Sequence, residues 1–430
     1  MKFTAAGDAI IQKRIPDEYP GYAEISDFIK EGDGRFYNLE TTLNYEGECF
    51  ASQFSGGTYI RTVPEVLYDL DKFGFNMTTF NNNHTMDFSY EGLYRTLDSL
   101  NEFGIVHAGV GMNLGEACAP KFLETKNGRV ALIAVSTSFN RAMLAGDPAE
   151  RVKGRPGVFG LRVESTMKVP KADLEYVKEL AERANCNVER SISVKEGYAE
   201  PLPENEALLC GINFAEGDKP ELVRTLNRID VERLKRSIFE AKLQADYIMI
   251  SVHSHELGGD KKENPSQFLI DLAHECIDAG ADAIVGHGPH LLRPIEVYKG
   301  CPIFYSLGDF ILELYGVEFA PADFFANHNC TTDMTVHELL KKRSANFTRG
   351  LMEDSRMALS VIPLWETDDN NKLVSLKLLP IEMKMDGKKG EQGLPRVCDA
   401  KKVVDYLGEM SKPYGVTLTA EKDGTITCKW

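Results

Sequence analysis

Residues 281–290 read Ala-Asp-Ala-Ile-Val-Gly-His-Gly-Pro-His. A short apolar run bounded by glycine suits a buried strand better than a helix. It ends in two histidines three residues apart, on a backbone that Gly286, Gly288 and Pro289 force away from regular structure. The same arrangement recurs on both sides. Residues 247–252 are apolar and end at His253, and residues 302–305 end at Ser306-Leu307-Gly308-Asp309. Toward the N-terminus, residues 75–80 end at Asn81-Asn82-Asn83-His84, residues 35–39 at Glu40, and residues 2–6 at Gly7-Asp8. Residues 129–135 form a further apolar run. Helical spacings lie between them: Val66, Leu70 and Phe73; Leu93, Leu97 and Leu100; Val231, Leu234, Ile238 and Ala241; Phe268, Leu272 and Cys276. Strands alternating with helices predict an α/β protein with a largely parallel sheet covered on both faces.

The rhythm blurs over residues 140–226, which carry Gly146-Asp147-Pro148, Gly154-Arg155-Pro156-Gly157 and Pro201-Leu202-Pro203 around one helical stretch near 172–184. We expect this to be a long insertion that lies as a lid over the active-site end of the sheet. Residues 330–350 read as a polar helical stretch. Residues 357–365 and 372–383 read as a strand pair, followed by a helix near 401–410 and a strand near 424–429.

The chain has 430 residues, 43% of them hydrophobic, and a formal net charge of −16. So acidic a surface repels nucleic acid and anionic membranes. It does not exclude an anionic substrate, since a bound metal ion reverses the local field. No run has the apolar core of a signal peptide or the roughly 20 apolar residues of a membrane helix. The nine cysteines are scattered, with no CxxC pair, which suits thiols in a reducing compartment. The expectation is a cytoplasmic protein without a membrane segment.

Five expected strands end in a group able to bind a metal: Asp8, Glu40, Asn83-His84, His253 and His287. Functional groups collect beyond the carboxyl ends of strands in open α/β sheets. Carboxylates, an Asn carbonyl and imidazoles suit Mn, Zn or Fe. His287 and His290 can converge on one site, and His253 and His255 share a face if the strand continues. Arg14 and Arg293, near strand ends, are candidate anion binders. His107, His274, His328 and His337 read as structural.

Together, Gly7-Asp8, Asn38-Leu39-Glu40, Asn82-Asn83-His84 with Asp87, His253, Gly286-His287-Gly288-Pro289-His290 and Tyr305-Ser306-Leu307-Gly308-Asp309-Phe310 resemble the ordered motifs of the CapA (poly-gamma-glutamate biosynthesis) family. That family is related to calcineurin-like metallophosphoesterases. The resemblance implies a four-layer αββα sandwich of metallophosphatase type over residues 1–365, with residues 140–226 inserted and 366–430 as a small C-terminal β/α extension packed on it. It implies one or two divalent ions held by Asp8, Glu40, Asn83, His253, His287 and His290. It makes His84 the catalytic acid, oriented by Asp87. Beside these, Arg14, Arg293 and His255 are expected at the substrate. The pattern departs at three points. Ile10 stands where the metallophosphoesterases have a first-motif histidine, Asp309 replaces a common Asn, and His255-Glu256 replaces the usual His-Trp-Gly. The function implied is a metal-dependent hydrolase acting on an anionic small molecule or polymer, through a phosphoester or a γ-glutamyl amide. Its rival is a non-catalytic accessory protein that binds poly-γ-glutamate or its synthase.

Overall fold

The computed structural model describes residues 1–351 and 354–430. The chain divides into two compact units, residues 1–160 with 232–430, and residues 161–231.

The first unit is built on two large sheets. One is ten-stranded, and its centre is the first strand, Lys2–Ile10. That strand pairs in parallel with Gly34–Leu39, which pairs with Met77–Thr79 and then Val106–Ala108. The other is six-stranded, with Gly128–Ser136, Tyr247–His253, Ala283–His287 and Cys301–Leu307 side by side in parallel. Every residue of Tyr247–His253 and of Ala283–His287 is buried, as strands covered on both faces should be. One apolar cluster holds inward side chains of both sheets, among them Phe3, Phe36 and Met77 from the first and Leu132, Met249 and Val285 from the second. The sheets therefore pack face to face. On the outer face of the first sheet lies a second cluster with Ile25, Leu70, Leu93 and Leu97, from the helices Tyr22–Ile29, Val66–Lys72 and Ser89–Phe103.

The first strand runs past the expected end at residue 6, through Gly7 and Asp8 to Ile10. The reason is an extra partner: Asp309–Leu312 joins its side, pairing Asp8 with Asp309. A methyl group on Gly7 would stand 1.8 Å from the Gly308 carbonyl oxygen, so only glycine permits the approach. The register shifts on both sides of Asp8, an irregularity that re-aims a side chain.

The residues after 365 are not a separate layer. Leu359–Thr367 pairs antiparallel with the first strand, and Leu373–Met383 pairs with it in turn. Pro395–Val397, Ile426–Lys429 and Thr417–Ala420 extend the same sheet. The helix Ala400–Ser411 places Val403 and Leu407 in the inter-sheet core. Trp365 links the sheets. It is fully buried, packs against Phe3 and Phe304 with ring centroids 5.4 Å away, and donates its indole N–H to the Tyr247 hydroxyl at 2.9 Å.

The second unit begins at 161, later than the expected insertion at 140. Residues 140–160 belong to the first unit, where Met143, Val158 and Phe159 are buried and the Phe159 N–H bonds the Gly109 carbonyl. By itself the second unit is a four-stranded sheet in the order Glu206–Leu209, Ile212–Glu216, Val163–Val169, Glu221–Leu226. The helix Lys171–Arg183 packs on it through Leu174. Its strands bury few residues, so their alternation is faint in sequence.

Truncation of Trp365 to Ala removes an aromatic side chain from both sheets at once. We expect a loss of about 3–5 kcal/mol in unfolding free energy, read by urea denaturation. A loss below about 1 kcal/mol would mean that the sheets are not coupled there.

Candidate metal centre

Five strand ends meet at one place. Asp8 lies across from Asn38 and Asp309. His253 lies directly across from both Ser136 and His287. Glu40 follows Gly34–Leu39, and Asn83 and His84 follow Met77–Thr79. His290 is turned back by a left-handed backbone, φ 60°. Two residues earlier, Gly288 (φ 116°) leaves room for the His253 ring, which a methyl group would meet at 3.2 Å.

The donor atoms crowd together. His287 Nδ1 lies 3.3 Å from Asp8 Oδ1 and 2.9 Å from His253 Nδ1. His253 Nε2 lies 2.8 Å from Asn83 Oδ1, 3.2 Å from His255 Nε2 and 3.9 Å from Glu40 Oε1. His290 Nδ1 lies 2.9 Å from Asp309 Oδ1 and 3.8 Å from Asp8 Oδ2, and its Nε2 is 4.0 Å from Glu40 Oε1. Three ligand groups result: Asp8, His253 and His287; Glu40, His253 and His255; Asp8, His290 and Asp309. Within each group the donor atoms lie within 4.8 Å of one another. Ligands sharing one ion at about 2.1 Å sit roughly 3 Å apart, so the set fits a divalent metal. The sharper test is Glu40: both of its carboxylate oxygens are buried and neither has a hydrogen-bond partner. A buried carboxylate so placed is costly unless a cation compensates it.

Surrounding groups hold the ligands in place. Asn38 Nδ2 donates to Asp8 Oδ1 at 2.7 Å, and the Gly288 N–H to Asp8 Oδ2 at 2.8 Å. Asn82 donates in turn to Asn38 and to the Leu39 carbonyl, and accepts from the His84 N–H. Ser251 Oγ is 2.7 Å from His287 Nε2.

Burial and like charge shape the titration of the cluster. Burial, with the charges of Asp8 and Asp309, pushes Glu40 well above the usual carboxylate range. Asp309 is pushed up to about 6 by burial, against the pull of His290. For Asp8, burial also acts upward, but the hydrogen bond and charge of His287, with His253 and His290, outweigh it and hold it low. His255 is pulled down to about 3 by burial and the charge of His290. Burial likewise takes His253 well below its ordinary value. His253 and His255 are thereby held neutral, the state in which imidazole binds metal, whereas for His290 burial is outweighed by the charge and hydrogen bond of Asp309, which raise it.

Asp8, Glu40, Asn83, His253, His287 and His290 thus share one site, joined by His255, which was expected at the substrate. His255 lies beyond the end of the strand, so irregular backbone and not strand alternation brings it to His253. His84 lies beside them, its Nε2 3.9 Å from Glu40 Oε1 and its Nδ1 2.7 Å from Asp87 Oδ2. Arg293 is buried and lines, with His84, His255 and His290, a cavity of about 610 Å³. Arg14 is elsewhere. It forms a two-pronged ion pair with Asp69, at 2.5 and 3.0 Å, because Asp69 is buried on the helix Val66–Lys72 and needs a counter-charge. Asp309, expected only as a departure from the family's Asn, becomes a ligand candidate through the pairing of its strand with the first. Its signal was the strand end at Gly308-Asp309. His107, His274 and His328 have local partners in Asn101, Glu296 and the Phe324 carbonyl.

The family described as "Bacterial capsule synthesis protein PGA_cap" matches residues 2–313. The "Uncharacterized protein y4sH" of Sinorhizobium fredii is 32% identical over 436 residues, covering 97% of this chain and 90% of that protein. The "PGA biosynthesis protein CapA" of Bacillus subtilis is 47% identical over 76 residues, 18% of this chain and 19% of its own length. The "Probable polyglutamine synthesis accessory protein Rv0574c" of Mycobacterium tuberculosis is 23% identical over 394 residues, 90% of this chain and 75% of its own.

Replacing Asp8 or His287 by Ala should strip bound metal, read by elemental analysis of the purified protein, and lower the melting temperature. Arg14→Ala should leave metal content unchanged and cost on the order of 1–3 kcal/mol of stability, because it leaves the buried Asp69 carboxylate short of its counter-charge. Metal loss on Arg14→Ala would contradict this placement.

Proposed function

This chain belongs to the PGA_cap family of bacterial capsule synthesis proteins, and on that premise we propose that it is a metal-dependent hydrolase of an anionic substrate. The observation that carries the reading is Glu40, sealed from water with both oxygens unpartnered among imidazoles and two further carboxylates. Two face-to-face sheets with ligands at the strand ends support an architecture of metallophosphatase type. Asp8, Glu40, Asn83, His253, His287 and His290 would hold one or two Mn, Zn or Fe ions, with Asp309 and His255 at their flanks. Such ions, when bound, polarise a scissile carbonyl or phosphoryl group and acidify a water.

The chain's own residues do the rest. Asp87 is fixed by the N–H groups of Gly56 and Ile60, at 3.0 and 2.9 Å. It therefore accepts from His84 Nδ1 and orients the ring, leaving Nε2 as the atom that faces the cavity. There it is placed to deliver a proton to a leaving group. The substrate class is a phosphoester or a γ-glutamyl amide, the latter linked to poly-γ-glutamate or capsule metabolism.

Two points favour the rival reading, a non-catalytic accessory protein that binds poly-γ-glutamate or its synthase. Ile10 is apolar and buried where the metallophosphoesterases carry a metal-binding histidine, and the Mycobacterium relative carries the word accessory in its name.

The deciding experiment is elemental analysis followed by a screen on p-nitrophenyl phosphoesters and γ-glutamyl p-nitroanilide. His84→Gln should keep metal near the wild-type level and lower turnover by about 10²–10⁴. Metal loss in that variant would make His84 a ligand. Metal-free, inactive protein that binds poly-γ-glutamate would establish the accessory role instead. Stripping an active preparation with a chelator should abolish turnover and lower its melting temperature.

A further inference from the structure

The cavity beside the candidate metal centre has a basic, partly apolar wall in an acidic protein. Lys262, Arg293, Arg343 and Arg349 line it, and no Asp or Glu does so among the described residues. The net charge of the chain is −16, so this wall is the reverse of the protein's average surface. Arg293 is the unusual member. It is 1% exposed, and its Nε donates to the Lys262 carbonyl at 3.0 Å. Both terminal nitrogens, Nη1 and Nη2, are buried with no hydrogen-bond partner. The two acids whose charges reach it are already engaged. Glu256 accepts from the hydroxyls of Thr137, Ser138 and Ser254, and Glu263 is paired with Arg356 at 2.5 Å. Burial, partly opposed by the charges of Glu256 and Glu263, pulls its guanidinium down to about 10, well within the charged state at neutral pH.

A buried cation with an empty two-pronged fork is built to take an oxyanion, since guanidinium matches the paired oxygens of carboxylate or phosphate. The candidate ligand cluster opens on the same cavity through His84, His255 and His290. Among the described residues no hydrogen bond or ion pair joins Arg293 to a candidate ligand, so its fork is available to a group other than the one held at the ligands. Leu340, Phe347 and Met357 supply an apolar surface in the same cavity. We infer that the substrate carries a second acid group, separate from the scissile one and joined to it by an apolar body, and that Arg293 with Lys262 holds that acid. Which end reacts rests on the hydrolase reading; the acid-binding end rests on Arg293 itself.

The test is calorimetric titration of the full chain, its metal content measured, with three ligands of equal chain length: octanoate, suberate and octane-1,8-diyl bisphosphate. They share an eight-carbon backbone and differ in carrying one acid group, two carboxylates or two phosphates. At least one two-ended ligand should bind about tenfold to a hundredfold more tightly than octanoate, the worth of a charged hydrogen-bonded contact. The tighter of the two tells whether the fork takes carboxylate or phosphate. Arg293→Met should reduce the advantage below about threefold while metal content stays at the wild-type level. If that variant does not fold, Arg293→Gln is read in its place. Equal binding of all three ligands by wild type overturns the inference, as does an advantage that survives loss of the Arg293 charge. Metal-free protein that keeps the two-ended preference would sink the hydrolase reading and leave this site standing. Metal-loaded, active protein with no preference would do the reverse.

Discussion

Asp8, Glu40 and Asp309 have no exposed surface, and the rings of His253, His287 and His290 lie within about 4 Å of them. Carboxylates so deeply buried are tolerable only when opposite charge and hydrogen bonds surround them. Much of the first unit is arranged to meet that requirement. Asn38, Asn82 and the Gly288 N–H tie Asp8 and the neighbouring strand ends together. Glu40 is the exception, without a hydrogen bond to either oxygen. That gap is where the physical argument for a cation is strongest.

Bringing these groups together takes both sheets. Asp8, Glu40, Asn83 and Asp309 come from the ten-stranded sheet, and His253, His287 and His290 from the six-stranded one. The inter-sheet core of Phe3, Tyr247, Phe304 and Trp365 therefore sets the spacing of the ligands. Local irregularities then aim them: the register shift at Asp8, the close approach of Gly7 to Gly308, and the left-handed turn at His290. Such features weaken a sheet or strain a backbone, and they cluster where function demands a particular side-chain direction.

The electrostatics of the molecule run in two senses. The outer surface is acidic, while the cavity beside the ligands is basic. A low-dielectric wall of one sign focuses potential on an oppositely charged ligand.

Much of the site was legible in the sequence, since an apolar run that stops at a carboxylate, amide or imidazole marks a strand end, and several such ends must converge on the carboxyl edge of parallel sheets. Asp8, Glu40, Asn83, His253 and His287 were read that way, and His290 from its spacing to His287 in Gly286-His287-Gly288-Pro289-His290. Local pattern also marked the helices Val66–Lys72, Ser89–Phe103 and Gln267–Ala279, where the apolar spacing is strong. Tertiary structure alone decided what no local pattern encodes. Arg14 and Arg293 look alike in sequence, as single arginines near strand ends. One pairs with a buried Asp69, and the other is buried beside the cavity with its terminal nitrogens unpartnered; only the packing of distant segments makes that difference. Asp309 became a ligand candidate because Gly7 and Gly308, about 300 residues apart, can touch. The strands after residue 365 joined the first sheet because its edge beside Lys2–Ile10 was open to them. Periodicity records which face of an element is buried; which element covers that face is set by the whole chain.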